Sequence, residues 1–243
     1  MPTLFRLLAI SFALSLFIHA EEKSGHLFIL SGQSNMTGNL RKGFQETVTK
    51  ALGKKNVSIV HCSRSGRGIR FWVADYKLPE DHPMAGLSNN KSNGEEFTRL
   101  AKAVKDAHDA AAFKTVHFIW MQGESDANRD LGVAYERSFK VLVERLKKEI
   151  GIQEMHFMIG RITDFGLHSE EKKAGWKRVR EAQQKLGDDD ALGAWIDTDD
   201  FIAEDVKKKQ GNLHYTGEES VKLGIRFGEA TLKQLESPVG VAP

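Results

Sequence analysis

The chain has 243 residues, 40% of them hydrophobic and 28% charged, which suits one globular domain. Its 35 Lys and Arg stand against 33 Asp and Glu, so there is no basic footprint of the kind nucleic-acid binding leaves. Cys62 is the single cysteine, which excludes an intrachain disulfide, and its place at the end of an apolar run marks it as a small buried residue.

Residues 1–6 give a short, positively charged start, 7–17 are apolar or small, and Ile18-His19-Ala20 offers a small residue before Glu21-Glu22. This is the layout of a secretory signal peptide over residues 1–20, with an apolar run too short to span a membrane. Export to a periplasm or the cell exterior is expected, without membrane association after cleavage. A folded domain is expected over 21–236, and the Pro-containing tail 237–243 is expected to be disordered.

Within that domain, apolar runs rich in β-branched residues fall at 26–31, 57–62, 115–121, 155–160 and 193–196. Between and after them, helical periodicity covers 44–52, 95–112, 133–150, 176–186 and 218–235. Strands apolar on both faces that alternate with helices predict a parallel sheet covered on both sides, a three-layer α/β/α sandwich with five strands. Gly53 sits where the first helix would be capped, and Thr216 with Glu219 has the spacing of a capping box for the last. Residues 75–94, with Pro79, Pro83 and several Asn, read as a long surface loop.

Ligands of open parallel sheets bind at the carboxyl ends of the strands, so the residues leaving those ends carry the interest. After the first strand comes Gly32-Gln33-Ser34-Asn35-Met36, which presents a hydroxyl at a strand-to-helix turn. It is not the Gly-x-Ser-x-Gly elbow, because Met36 replaces the second glycine, and alone it reads equally as a helix cap. After the third strand comes Gln122-Gly123-Glu124-Ser125-Asp126, and Asn212-Leu213-His214-Tyr215 precedes the last helix.

With these blocks the sequence resembles the SGNH hydrolase superfamily, in its sialate O-acetylesterase-like and acetylxylan-esterase-like branch. Val179-Arg180-Glu181-Ala182-Gln183 and Asp197-Thr198-Asp199-Asp200 add to the match, which runs from about residue 27 to about 235. The resemblance implies a flavodoxin-like sheet and a serine esterase that removes acyl, chiefly acetyl, groups from a carbohydrate. It makes Ser34 the nucleophile and His214 the general base, with the backbone N–H groups of Ser34 and Gly66 and the amide of Gln122 as the oxyanion hole. It implies no cofactor and no metal, and leaves the oligomeric state open.

One position departs from the family. An Asp stands there three residues before the His, and here the position is Gly211. Three outcomes are open: another acid orients His214, with Asp199, Asp200 and Asp205 nearest in sequence; a backbone carbonyl does so; or the protein is a weak or non-catalytic carbohydrate-binding relative. Glu124 and Asp126, two apart and without histidines at metal-ligand spacing, are expected to be acceptors that support the Gln122 loop. Arg67 and Arg70, with Arg64 in the same loop, are candidates to meet an anionic sugar, against ion pairing or solvation as the plainer reading. Phe71-Trp72 would stack on a sugar or pack in the core, whereas Trp120, Trp195, His117 and His156 are assigned to packing. Asn35 and Asn56 match the glycosylation pattern, and a glycan on Asn35 would obstruct Ser34.

Overall fold

The computed structural model describes residues 24–201 and 213–236; the expected signal peptide, the tail 237–243, and Asp205, Gly211 and Asn212 lie outside them. Five parallel strands, β1 (His26–Gly32), β2 (Val57–Ser63), β3 (Thr115–Met121), β4 (His156–Gly160) and β5 (Gly193–Ile196), form one sheet in the order β2-β1-β3-β4-β5. The order reverses between β1 and β3, which opens a crevice at their carboxyl ends.

Alternation along β1 sends Leu27 and Ile29 to one face and Phe28 and Leu30 to the other, all four buried. The first pair joins a core with Phe97 and Leu100 of α2 (Glu95–Ala107), Phe139 and Leu142 of α4 (Tyr135–Glu149), and Trp176 and Val179 of α5 (Lys173–Asp189). The second pair meets Leu40 and Phe44 of α1 (Gly38–Leu52) and Leu223 and Phe227 of α6 (Gly217–Glu236). A one-turn helix, α3 (Glu124–Ala127), follows β3. The three layers are thus those the strand and helix rhythm predicts.

The helix ends show where the pattern is weak. α1 begins six residues before the periodicity does, because Thr37 caps it by accepting from the Leu40 N–H at 3.0 Å. α2 stops at Ala107, and residues 110–112 form a separate 3₁₀ turn. The capping box closes as its spacing predicts: the Thr216 N–H donates to Glu219 Oε2 at 2.8 Å and the Glu219 N–H to Thr216 Oγ1 at 3.2 Å.

One helix pair positions the site. A Cβ on Gly43 would lie 2.1 Å from the Val221 carbonyl oxygen, and one on Gly224 would lie 2.1 Å from that of Leu40. Only glycine permits so close an approach, and Gly228 continues it one turn on, against Thr47 and Phe44. The register rises together along both helices, so α1 and α6 run parallel with their N-termini side by side. The segments that precede them carry Ser34 and His214.

Candidate active site

Ser34 and Asn35 are the central residues of a turn closed by the Met36 N–H, which donates to the Gln33 carbonyl at 3.0 Å. The turn is held from two sides. The Gln33 N–H donates to the Met121 carbonyl at 2.9 Å, and Ser63 Oγ donates to the Met36 carbonyl at 3.0 Å. Ser34 is half-buried and His214 exposed. Ser34 Oγ and His214 Nε2 stand 2.9 Å apart, although 180 residues separate them in the chain. That is the distance at which an imidazole accepts a hydroxyl proton, and a hydroxyl so placed can attack an ester carbonyl.

The backbone N–H groups of Ser34 and Gly66 make no hydrogen bond among the described residues. Gln122 is placed differently. It is fully buried, and its Nε2 lies 3.1 Å from Gln33 Oε1, 3.1 Å from the Arg67 carbonyl and 2.5 Å from Asp126 Oδ2. Both amide hydrogens are therefore already engaged. Its own carbonyl accepts from Tyr135 Oη at 2.7 Å and from Gln183 Nε2 at 2.8 Å, which fixes the end of β3.

The two acidic residues after β3 take different partners. Asp126 Oδ2 accepts from the Ile69 N–H at 2.9 Å as well as from Gln122, and so ties the loop after β2 to the loop after β3. Glu124 accepts from Asn35 Nδ2 at 2.6 Å. Burial pushes both carboxyls up, Glu124 to about 7 and Asp126 to about 6, against the hydrogen bonds that lower them.

No carboxylate hydrogen-bonds to His214 among the described residues. Asp199 and Asp200 are not brought to it, because guanidinium groups hold them elsewhere. Arg180 grips Asp199 through two bonds of 2.8 and 2.7 Å, and Arg161 adds a third at 2.8 Å. Arg226 grips Asp200 in the same two-pronged way. Asp205, the remaining candidate, lies outside the described residues.

Arg70 is also displaced from its expected role. It is buried, donates to Asn93 Oδ1 at 2.9 Å and lies 3.7 Å from the centre of the Phe71 ring, so it braces the loop 75–94. Arg67 keeps partial exposure but pairs with Glu95 at 3.1 Å and Glu96 at 3.7 Å. Asp75 pairs with Arg137 at 3.6 Å and not with these arginines. Phe71 and Trp72 are core residues, with Trp72 edge-on to Trp120, so they offer no platform for a sugar. No group of His, Cys, Asp and Glu among the described residues is arranged to hold a metal ion.

Residues that the sequence reading missed are Gln33, Arg161 and the amide of Asn35. Gln33 Oε1 accepts from Gln122 and from the Ser125 N–H at 3.3 Å. Asn35 Nδ2 also donates to the Leu213 carbonyl at 3.0 Å. The one signal in the sequence was adjacency, since two amide side chains, Gln33 and Asn35, flank Ser34.

The sheet thus carries a serine–histidine pair at its switch point, where open parallel sheets bind their ligands. Among solved structures, the chain is similar to a protein of Arabidopsis thaliana (TM-score 0.61, 17% identity, 86% of this chain and 98% of that one). It is equally similar to a carbohydrate acetylesterase from Xanthomonas citri (TM-score 0.61, 16% identity, 84% of this chain and 55% of that one). A lipolytic protein of the G-D-S-L family from Veillonella parvula shares the fold at a TM-score of 0.51 (14% identity, 86% and 99% covered). No curated protein matches the chain. The family model for carbohydrate esterases described as sialic acid-specific acetylesterases matches residues 39–233. The chain belongs to that family, and is a carboxylic ester hydrolase that removes acyl groups from carbohydrates.

Proposed function

We propose that Ser34 is the nucleophile and His214 the general base of an O-acetylesterase that works through an acyl-Ser34 intermediate. The observation that carries this reading is the 2.9 Å contact between Ser34 Oγ and His214 Nε2. His214 takes the hydroxyl proton as Oγ bonds to the ester carbonyl, and the carbonyl electron pair becomes the oxyanion. The N–H groups of Ser34 and Gly66 receive that charge, and each such donor is worth roughly 3–4 kcal/mol in the transition state. Gln122 becomes the third donor by releasing the Arg67 carbonyl, which its Nε2 holds at 3.1 Å. The protonated imidazole then gives its proton to the departing sugar hydroxyl as the C–O bond breaks. A water attacks the acyl-enzyme by the same route, which releases the carboxylic acid and restores Ser34.

The geometry does not favour a carbohydrate-binding relative without activity, since nucleophile and base already stand at bonding distance. Residues 1–20 support export as the enzyme's route, with 21–236 as its catalytic domain. No helix among the described residues is long and apolar enough to cross a membrane. A chromogenic acetyl ester tests the activity. Wild type is expected to turn it over, faster than the matching octanoate ester, and Ser34→Ala is not. Equal turnover by the two proteins would remove Ser34 from the mechanism.

A further inference from the structure

We infer that Asn35 is a positioning residue which, held by Glu124, sets the histidine loop against the nucleophile. The inference rests on the acyl-Ser34 reading above. It starts from an amide with two hydrogens and two acceptors. Asn35 Nδ2 donates one hydrogen to Glu124 Oε1 at 2.6 Å and the other to the Leu213 carbonyl at 3.0 Å. Asn35 is 2% exposed and Glu124 3%, so water competes little for either bond. Glu124 Oε1 is the acceptor in its bond, so it selects the nitrogen of the amide and turns the oxygen away. The same choice presents the second hydrogen to Leu213. Reversed, the amide would set its oxygen against the Leu213 carbonyl and lose that bond.

Ser34 and Asn35 are neighbours in the chain, and so are Leu213 and His214. Two cross-bonds therefore join the same two dipeptides, one through Oγ and Nε2 at 2.9 Å and one through the Asn35 amide at 3.0 Å. A single bond would leave the histidine loop free to pivot about it, and the second removes that freedom. This matters more here than in a full triad. Gly211 stands where the family carries its Asp, and no carboxylate bonds to His214 among the described residues. The loop backbone, through Asn35 and ultimately Glu124, supplies orientation to the ring. A displacement of about 1 Å in such a pair can cost about 100-fold in rate.

A double-mutant cycle in the full chain tests this. Asn35→Ala and Glu124→Ala should each lower kcat by about 10- to 100-fold with KM within about 3-fold, since the loss is of geometry and not of substrate contact. The double variant should be no slower than the worse single one, because both act through one path. Glu124→Gln, whose amide oxygen still accepts from Asn35, should recover most of the loss. Should Asn35→Ala fail to fold, Asn35→Asp keeps the shape but removes the donor, and should lose at least as much. In ¹⁵N spectra, the imidazole of His214 should give one narrow set of signals in wild type and broadened or doubled ones in Asn35→Ala. Wild-type kcat in Asn35→Ala, or losses that multiply in the double variant, would overturn the inference. Wild type without esterase activity, but with His214 signals that still respond to Asn35→Ala, would instead sink the functional reading and leave the brace standing.

Discussion

At the carboxyl ends of its strands this sheet buries carboxylates, and at the amino ends it buries imidazoles. Glu124 and Asp126 lie beneath the catalytic turn, where burial pushes their carboxyls up to about 7 and about 6. At the opposite end, His26 Nδ1 meets Thr115 Oγ1 at 2.8 Å, Thr115 Oγ1 meets His117 Nε2 at 2.9 Å, and the His117 ring stacks on His156 with centres 4.8 Å apart. Burial lowers all three histidines, His117 to about 3. The two ends therefore respond to pH with opposite sign. The histidines hold their neutral form in the fold, so their contribution is complete above 6.5 and is lost as pH falls toward the folded value. The carboxyls are raised, so theirs is complete below 4.5 and 3.8 and is lost as pH rises through about 7 and about 6. The end that carries Ser34 and His214 holds the groups whose ionisation strains the fold, while the histidine end is polar packing. Activity and acid stability should accordingly separate under mutation.

The largest effect should come at the catalytic end. Ser34→Ala and His214→Ala should each lower kcat by at least about 10³-fold, with thermal unfolding little changed, because both side chains lie at the surface of the site. Gly224→Val comes next. Its side chain has no room against the Leu40 carbonyl, so it should cost about 1–3 kcal/mol in urea unfolding and lower kcat as α6 shifts from α1.

The third test exploits the opposite signs. Across the window from pH 6.5 down to about 3, replacing His117 by Gln should flatten the stability profile by up to about 1.4 kcal/mol per pH unit, and kcat at pH 7 should stay within about 2-fold. Glu124→Gln should instead flatten the decline between 4.5 and about 7. Urea midpoints measured across pH would read both, and slopes of the same sign would erase the contrast. The smallest effect, about 1 kcal/mol, is expected for Thr216→Ala, which opens the capping box two residues after His214.

How far these features are legible in the sequence differs from element to element. The strands could be placed to within a residue because each is a short apolar run, buried on both faces in the central β1, β3 and β4. The start of α1 was hidden: Gly38-Asn39-Leu40-Arg41-Lys42-Gly43 carries two poor helix formers, and Gly43 is present for contact with α6, not for helix propensity. Motif blocks in order single out Ser34 and His214, which the fold brings to 2.9 Å from each other. The fate of Arg70, Asp199 and Asp200 could not be read from them, since burial and guanidinium partners are decided by packing between elements. The Asn35 contact was the least accessible of all. Its acceptor is a backbone carbonyl 178 residues away, and no side-chain pattern records a carbonyl.

Covalent labelling tests the central claim most directly. A fluorophosphonate should modify the protein once, with the adduct mapped by peptide mass to Ser34, and His214→Ala should slow that labelling by about 100-fold or more. An adduct on another residue, or a labelling rate that does not depend on His214, would contradict the account.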